Sequence, residues 1–208
     1  MQAHPGRHLV IPESRLPAKL AFPRRPMSDD EFYQFCMANP KLRFERTAEG
    51  EIIIVPPAGW ESSYQSGDAF GQLRDWAKKN RRGVASDSSG EFVLPTGAAL
   101  SPDAAWVSNR RSMRLSKDQR RKFPPLAPEF IIELMSPSDR LKDAKKKMEE
   151  WMRGGVELGW LIQADRKTVY IYRAGQPEPE KRTGIKKLKG EGPVAGFEMD
   201  LTDIWAGL

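Results

Sequence analysis

The chain has 208 residues, 39% apolar and 30% charged, with 34 Lys+Arg against 28 Asp+Glu and a net charge of +6. This length gives one domain whose core can stand without covalent staples. The lone Cys36 excludes a disulfide scaffold, and one thiol with two N-terminal histidines, His4 and His8, cannot close a zinc site. No apolar run approaches the ~20 residues of a membrane span and the start lacks the apolar core of a signal peptide, so a cytoplasmic protein with no membrane partner is expected. Any chemistry must rest on carboxylates, lysines and hydroxyls.

Residues 1–26 carry Arg7, Arg15, Lys19, Arg24 and Arg25 against Glu13, with five prolines breaking any helix, and read as a flexible basic arm. The domain is expected to occupy 27–208. Ser28 followed by Asp29, Asp30 and Glu31 predicts a capped helix bearing Phe32, Phe35 and Cys36, ended by Asn39-Pro40. Two runs, 42–45 and 51–55, around a turn at Ala48-Glu49-Gly50 predict a β-hairpin. Residues 64–80 place Phe70, Leu73, Trp76 and Ala77 on one helical face, and short strands follow near 84–86 and 91–94. The loop Ala58-Gly59-Trp60-Glu61-Ser62-Ser63 is a candidate to close over a site.

Ser101-Pro102-Asp103 opens a strand on which Ala105 and Val107 alternate with Asp103. A basic linker follows with Arg110, Arg111, Arg114, Lys117, Arg120, Arg121 and Lys122. The β-branched run 130–135 then stops at Ser136-Pro137-Ser138, whose serines read as caps of a helix over 139–153, with Gly154-Gly155 terminating it. Runs 158–162 and 168–172 form a second hairpin, also a candidate edge for a homodimer. A last basic cluster comprises Lys181, Arg182, Lys186, Lys187 and Lys189. Each cluster alone reads as a solvated loop, but three in one domain suit phosphate contact.

Glu133 is the residue that needs a chemical account, because it ends an otherwise apolar strand. A buried carboxylate must be paired, protonated or metal-bound. Asp103, at the mouth of another strand, is the natural second ligand, and two hard oxygens plus waters suit Mg²⁺ or Mn²⁺. A nearby lysine could orient or deprotonate the attacking water. Lys147 lies one helical turn from Asp143 and Trp151 beside the apolar stripe, while Lys145 flanks the same stripe, so spacing leaves both open. A simple ion pair between Glu133 and one of these lysines is the competing reading.

The strings SPDAAWV, PEFIIELMSPSD, D143-x3-K147-x3-W151, GGVELGWLI and VYIYR, with FERTAEGEIIIVPPAG upstream and GPVAGFEMDLTDIW at the end, closely resemble the Uma2-type (DUF820) restriction-endonuclease-like proteins, a branch of the PD-(D/E)XK nuclease superfamily. The resemblance covers roughly 27–206. It implies an α/β (α+β) fold with a central mixed sheet flanked by helices and an N-terminal β-hairpin. It also implies a metal-dependent endonuclease acting on nucleic acid, with DNA as the expected partner and Mg²⁺ or Mn²⁺ as cofactor. By the matched motifs Asp103 and Glu133 would hold the metal, Lys147 would be the catalytic lysine and Glu45 an additional acid, although Glu45 could instead pair with Arg43 or Arg46. One departure stands out: Met135 occupies the position two residues after Glu133 where many superfamily members keep lysine. That departure motivates the alternative of a nuclease-fold module that binds nucleic acid or a protein partner without turnover.

Overall fold

The structure is a computed structural model and describes residues 19–20 and 26–208. Most of the segment read as a basic arm therefore lies outside the described residues. Lys19–Leu20, β1, falls within that segment and pairs antiparallel with Ile52 and Ile53.

Helix α1, Asp29–Ala38, starts from Ser28 in a complete capping box: the serine hydroxyl accepts from Glu31 N–H and the Glu31 carboxylate accepts from Ser28 N–H. It buries Phe32 and Cys36 against the hairpin β2, Arg43–Arg46, and β3, Ile52–Val55. Helix α2, Trp60–Asn80, begins earlier than the apolar pattern indicates. The expected Trp60 loop is therefore the first turn of a helix entered from Gly59, and Trp60 stands 81% exposed. Its face bearing Ala69, Leu73 and Ala77 packs on β4, Gly83–Asp87, and β7, Ala104–Ser108. Between these, β5, Phe92–Val93, and β6, Ala99–Leu100, join β2 and β3 to give the order β1-β3-β2-β6-β5.

The central sheet has the order β11-β10-β9-β8-β7-β4 and is mixed, as expected. Its one parallel pair is β8, Phe130–Leu134, with β9, Leu158–Gln163. Helix α4, Leu141–Arg153, connects the two, because parallel neighbours require a crossover. Strand alternation divides the sheet's side chains between two cores. Trp106, Phe130, Ile132 and Trp160 face α2, while Ala105, Ile131, Leu161 and Tyr170 face Met148 and Trp151 of α4. Hairpin β9 and β10, Thr168–Arg173, is not an edge: β8 flanks one side and β11, Glu180–Thr183, the other, so the expected dimer edge is already occupied. After the short basic helix α3, Asn109–Ser112, the chain returns to the sheet through Pro124 and Pro125. Strands β12, Lys187–Lys189, and β13, Glu198–Asp200, pair, and α5, Thr202–Ala206, closes against α2.

Ser136 and Ser138 do not cap α4. The helix starts at Leu141 from Arg140 without a side-chain cap, and Asp139 instead accepts from Ser136 N–H in a turn that ends β8. Among the described residues no helix is long and apolar enough to cross a membrane.

Candidate active site

The register of β7 against β8 pairs Ala104 with Ile132 and Ala105 with Ile131. Extending it by one step sets Asp103 opposite Glu133, so two acids 30 positions apart in sequence meet at one end of neighbouring strands. The Asp103 carboxylate is fixed from two sides: Oδ2 accepts from Leu134 N–H at 2.7 Å, and Oδ1 accepts from the Ser66 hydroxyl of α2 at 3.1 Å. Glu133 shares the strand face of Ile131 and is 8% exposed. Its Oε1 accepts from the Trp151 indole N–H at 2.8 Å and lies 3.0 Å from Lys147 Nζ. The second oxygen, Oε2, makes no hydrogen bond among the described residues.

Lys147 is the lysine that reaches the site. Its ammonium touches Glu133, Glu45 at 2.8 Å and the Ser101 carbonyl at 3.0 Å. Lys145 instead lies over the Tyr170 ring, 4.8 Å from its centroid. Both lysines flank the stripe of α4 that meets the sheet, but helical phase turns Lys147 toward Glu133 at the end of β8 and Lys145 toward β10. Glu45 arrives from the other sheet. Its Oε1 also accepts from Ser101 N–H at 3.1 Å, so Ser101 holds both partners of the Lys147–Glu45 pair. Neither local alternative for Glu45 is realised: Arg46 pairs with Asp29, and Arg43 donates to the Ser88 carbonyl.

The electrostatics follow from burial. Desolvation pushes the Glu133 carboxyl up to about 7; Lys147 opposes this, while the charges of Asp103 and Glu45 reinforce it. Asp103 is also raised by burial, against the Leu134 N–H, Lys147 and Ser66. Burial works against the charge on Lys147, but Glu133 and Glu45 outweigh it and hold the ammonium firmly protonated. In this arrangement Lys147 can orient and neutralise.

Sequence reasoning missed three participants. Ser66 gives no signal, being one serine among several in α2. Trp151 reads as core, and only its spacing of one turn from Lys147 hints at the indole donor. Glu91, directly before β5, is buried with Oε1 lacking a hydrogen bond among the described residues, and burial together with Glu45 pushes its carboxyl up to about 8.

Among the described residues no three His, Cys, Asp or Glu side chains form a metal cage. Asp103 and Glu133 with the unbonded Glu133 Oε2 make a sparse, all-oxygen donor set. That composition fits Mg²⁺ or Mn²⁺, which take few protein ligands and keep several waters.

The sequence model of the Uma2 family, described as "Putative restriction endonuclease", matches residues 29–202. This chain belongs to the Uma2 family. The match spans both sheets, α2 and α4, and hence every residue of the site. Among solved structures, the chain is similar to a "putative nuclease belonging to DUF820" from Anabaena variabilis, with 24% identity, a TM-score of 0.65, and coverage of 87% of this chain and 98% of that one. That likeness shows the fold that this chain shares with it, a mixed sheet flanked by helices. No curated protein matches the chain.

Proposed function

We propose that this Uma2 protein is a divalent-metal-dependent endonuclease that hydrolyses phosphodiester bonds of nucleic acid, with DNA as the substrate. The observation that carries the reading is the convergence of Asp103, directly before β7, with Glu133 of β8, Glu45 of β2 and Lys147 of α4 on one buried, net-acidic point. Three carboxylates against one ammonium leave a charge deficit that a divalent cation would offset. Asp103 and Glu133 would hold Mg²⁺ or Mn²⁺, which would supply Lewis acidity and a more acidic bound water. The chain's own groups do the positioning. Trp151 fixes Glu133 by one oxygen, Ser66 and Leu134 N–H fix Asp103, and Glu45 tethers Lys147 where its positive charge can stabilise a developing phosphorane.

A second reading, a binding module without turnover, is favoured by Met135. It is buried in the core beside α4, and its N–H donates to the Ile162 carbonyl, so it brings no charge to the site. Cleavage of supercoiled plasmid in EDTA, Mg²⁺ or Mn²⁺, alongside an identically purified Asp103→Ala protein, separates the readings. Metal-dependent nicking confined to the wild type supports the endonuclease. Mn²⁺ binding lost in Glu133→Gln likewise supports a true metal site, whereas no nicking together with no Glu133-dependent Mn²⁺ binding supports the module.

A further inference from the structure

A dense group of basic side chains gathers at a place the active site does not use. Residues 78–82 at the end of α2 and 109–114 around α3 contain seven Lys+Arg and no acid, leaving 27 Lys+Arg against 28 Asp+Glu in the rest of the chain. The two stretches are far apart in sequence, and Asn109 clasps them together. Its N–H donates to the Arg82 carbonyl and its side-chain amide to the Arg81 carbonyl, each at 2.8 Å. Gly83 pairs with Ser108 immediately beyond, which locks the two stretches at the same end of the sheet.

The roles within this pole divide. Arg82 is committed to the fold, lying over Trp76 and donating to the Ala195 carbonyl, and Arg111 pairs with Glu129 and Glu157. Lys78, Lys79, Arg81, Arg110 and Arg114 are exposed, and among the described residues none has a carboxylate partner. The other two basic clusters are partly neutralised: Lys122 pairs with Asp30 and Asp118, Lys187 with Glu198, and Arg182 with Glu180, while Lys117, Arg120, Arg121, Lys181, Lys186 and Lys189 stay exposed. Lys78 and Lys79 also complement the carbonyl end of α2. Arg110 and Arg114, on another element, have no such role. Strand β7 runs from beside Asp103 to Ser108, so the pole lies about 17 Å from the carboxylates, roughly half a duplex turn.

We propose that this pole is a docking surface for the phosphate backbone of duplex nucleic acid, engaging it about half a turn away from the point of cleavage. The pole's exposed cations without acidic neighbours match a polyanion, and the spacing matches a continuous duplex reaching the site. The identity of the polyanion rests on the endonuclease reading; the surface itself does not.

The test is fluorescence anisotropy of a duplex about two helical turns long, in EDTA and across a KCl series, with the full chain. A Lys78→Gln/Lys79→Gln/Arg110→Gln/Arg114→Gln variant should bind at least about tenfold more weakly near about 100 mM salt, and its plot of log K against log salt should be shallower by about 3 to 4. A Lys78→Arg/Lys79→Arg/Arg110→Lys/Arg114→Lys variant should bind as the wild type does. Equal slopes for the wild type and the glutamine variant would overturn the proposal, as would equal losses in both variants or a wild type that ignores the duplex. Salt-dependent binding without any metal-dependent cleavage would overturn the endonuclease reading and leave the pole standing. Cleavage with unchanged slopes would do the reverse.

Discussion

Glu133 shows how one side chain can be costly and useful. Its burial beside two other acids is tolerable because Lys147 and the Trp151 indole both face Oε1. Trp151→Phe keeps an aromatic ring but removes the donor and part of the indole's volume, so it should destabilise the fold by about 1–3 kcal/mol in urea unfolding. Glu91 has less relief: no donor among the described residues reaches its Oε1, and the charges of Arg46, Arg43 and Lys147 only partly oppose its burial. Its folded pKa of about 8 exceeds the ordinary carboxylate value, so the stability it contributes is full at acid pH and is lost as pH rises through 8. Glu91→Gln should therefore match the wild type near pH 5 and exceed it above pH 8, by roughly 2–4 kcal/mol, in melts at the two pH values. An advantage for the variant at low pH, or none at high pH, would refute that account. Part of this chemistry was legible beforehand. An acid closing the run Phe130–Leu134 announces a burial problem, but Ser66 and Glu91 carry no local pattern, because what makes them matter is a neighbour from a distant element.

Among the elements, local pattern served where apolar runs are bounded by turn or cap residues. Ser28 before three acids marks the start of α1, and turn residues between apolar runs mark the hairpins at 43–55 and 158–173. It failed at the start of α2, where Trp60 to Ser63 carry no apolar stripe because that turn extends past the core it would cover. Close approach is a second element-scale fact hidden from pattern. A Cβ on Gly83 would lie 2.4 Å from the Val107 carbonyl oxygen and 2.6 Å from the Trp106 ring. Gly83→Ala should cost about 1–3 kcal/mol in denaturant unfolding, because the neighbour is backbone and cannot swing aside. The edge strand β11 carries Glu180, Lys181 and Arg182, charges that resist edge pairing. The homodimer expected from sequence would need another surface. Glu180→Val/Lys181→Val should increase association in light scattering if those charges keep this edge unpaired.

At the scale of the whole molecule, the site lies on the seam between two sheets. The chain leaves β6 in one sheet, passes Ser101-Pro102-Asp103, and enters β7 in the other, so that Ser101 meets Glu45 and Lys147 while Asp103 meets Glu133. A cation held there would bind only the folded state. Mn²⁺ at about 100 times its Kd should stabilise the wild type by about 2.7 kcal/mol, several degrees in Tm, and should leave Asp103→Ala/Glu133→Gln unmoved. An equal shift in both proteins would place the ion elsewhere. The sequence by itself determined the fold class and the strands and helix that carry Asp103, Glu133 and Lys147, because these are set by local apolar periodicity and by motifs of fixed spacing. Only the tertiary structure decided that Lys147 rather than Lys145 enters the site, that Glu45 faces it across the seam, and that two distant basic stretches share one pole. Those outcomes depend on helical phase and on register between strands remote in sequence, and the energy that sets both comes from contacts a linear pattern does not contain.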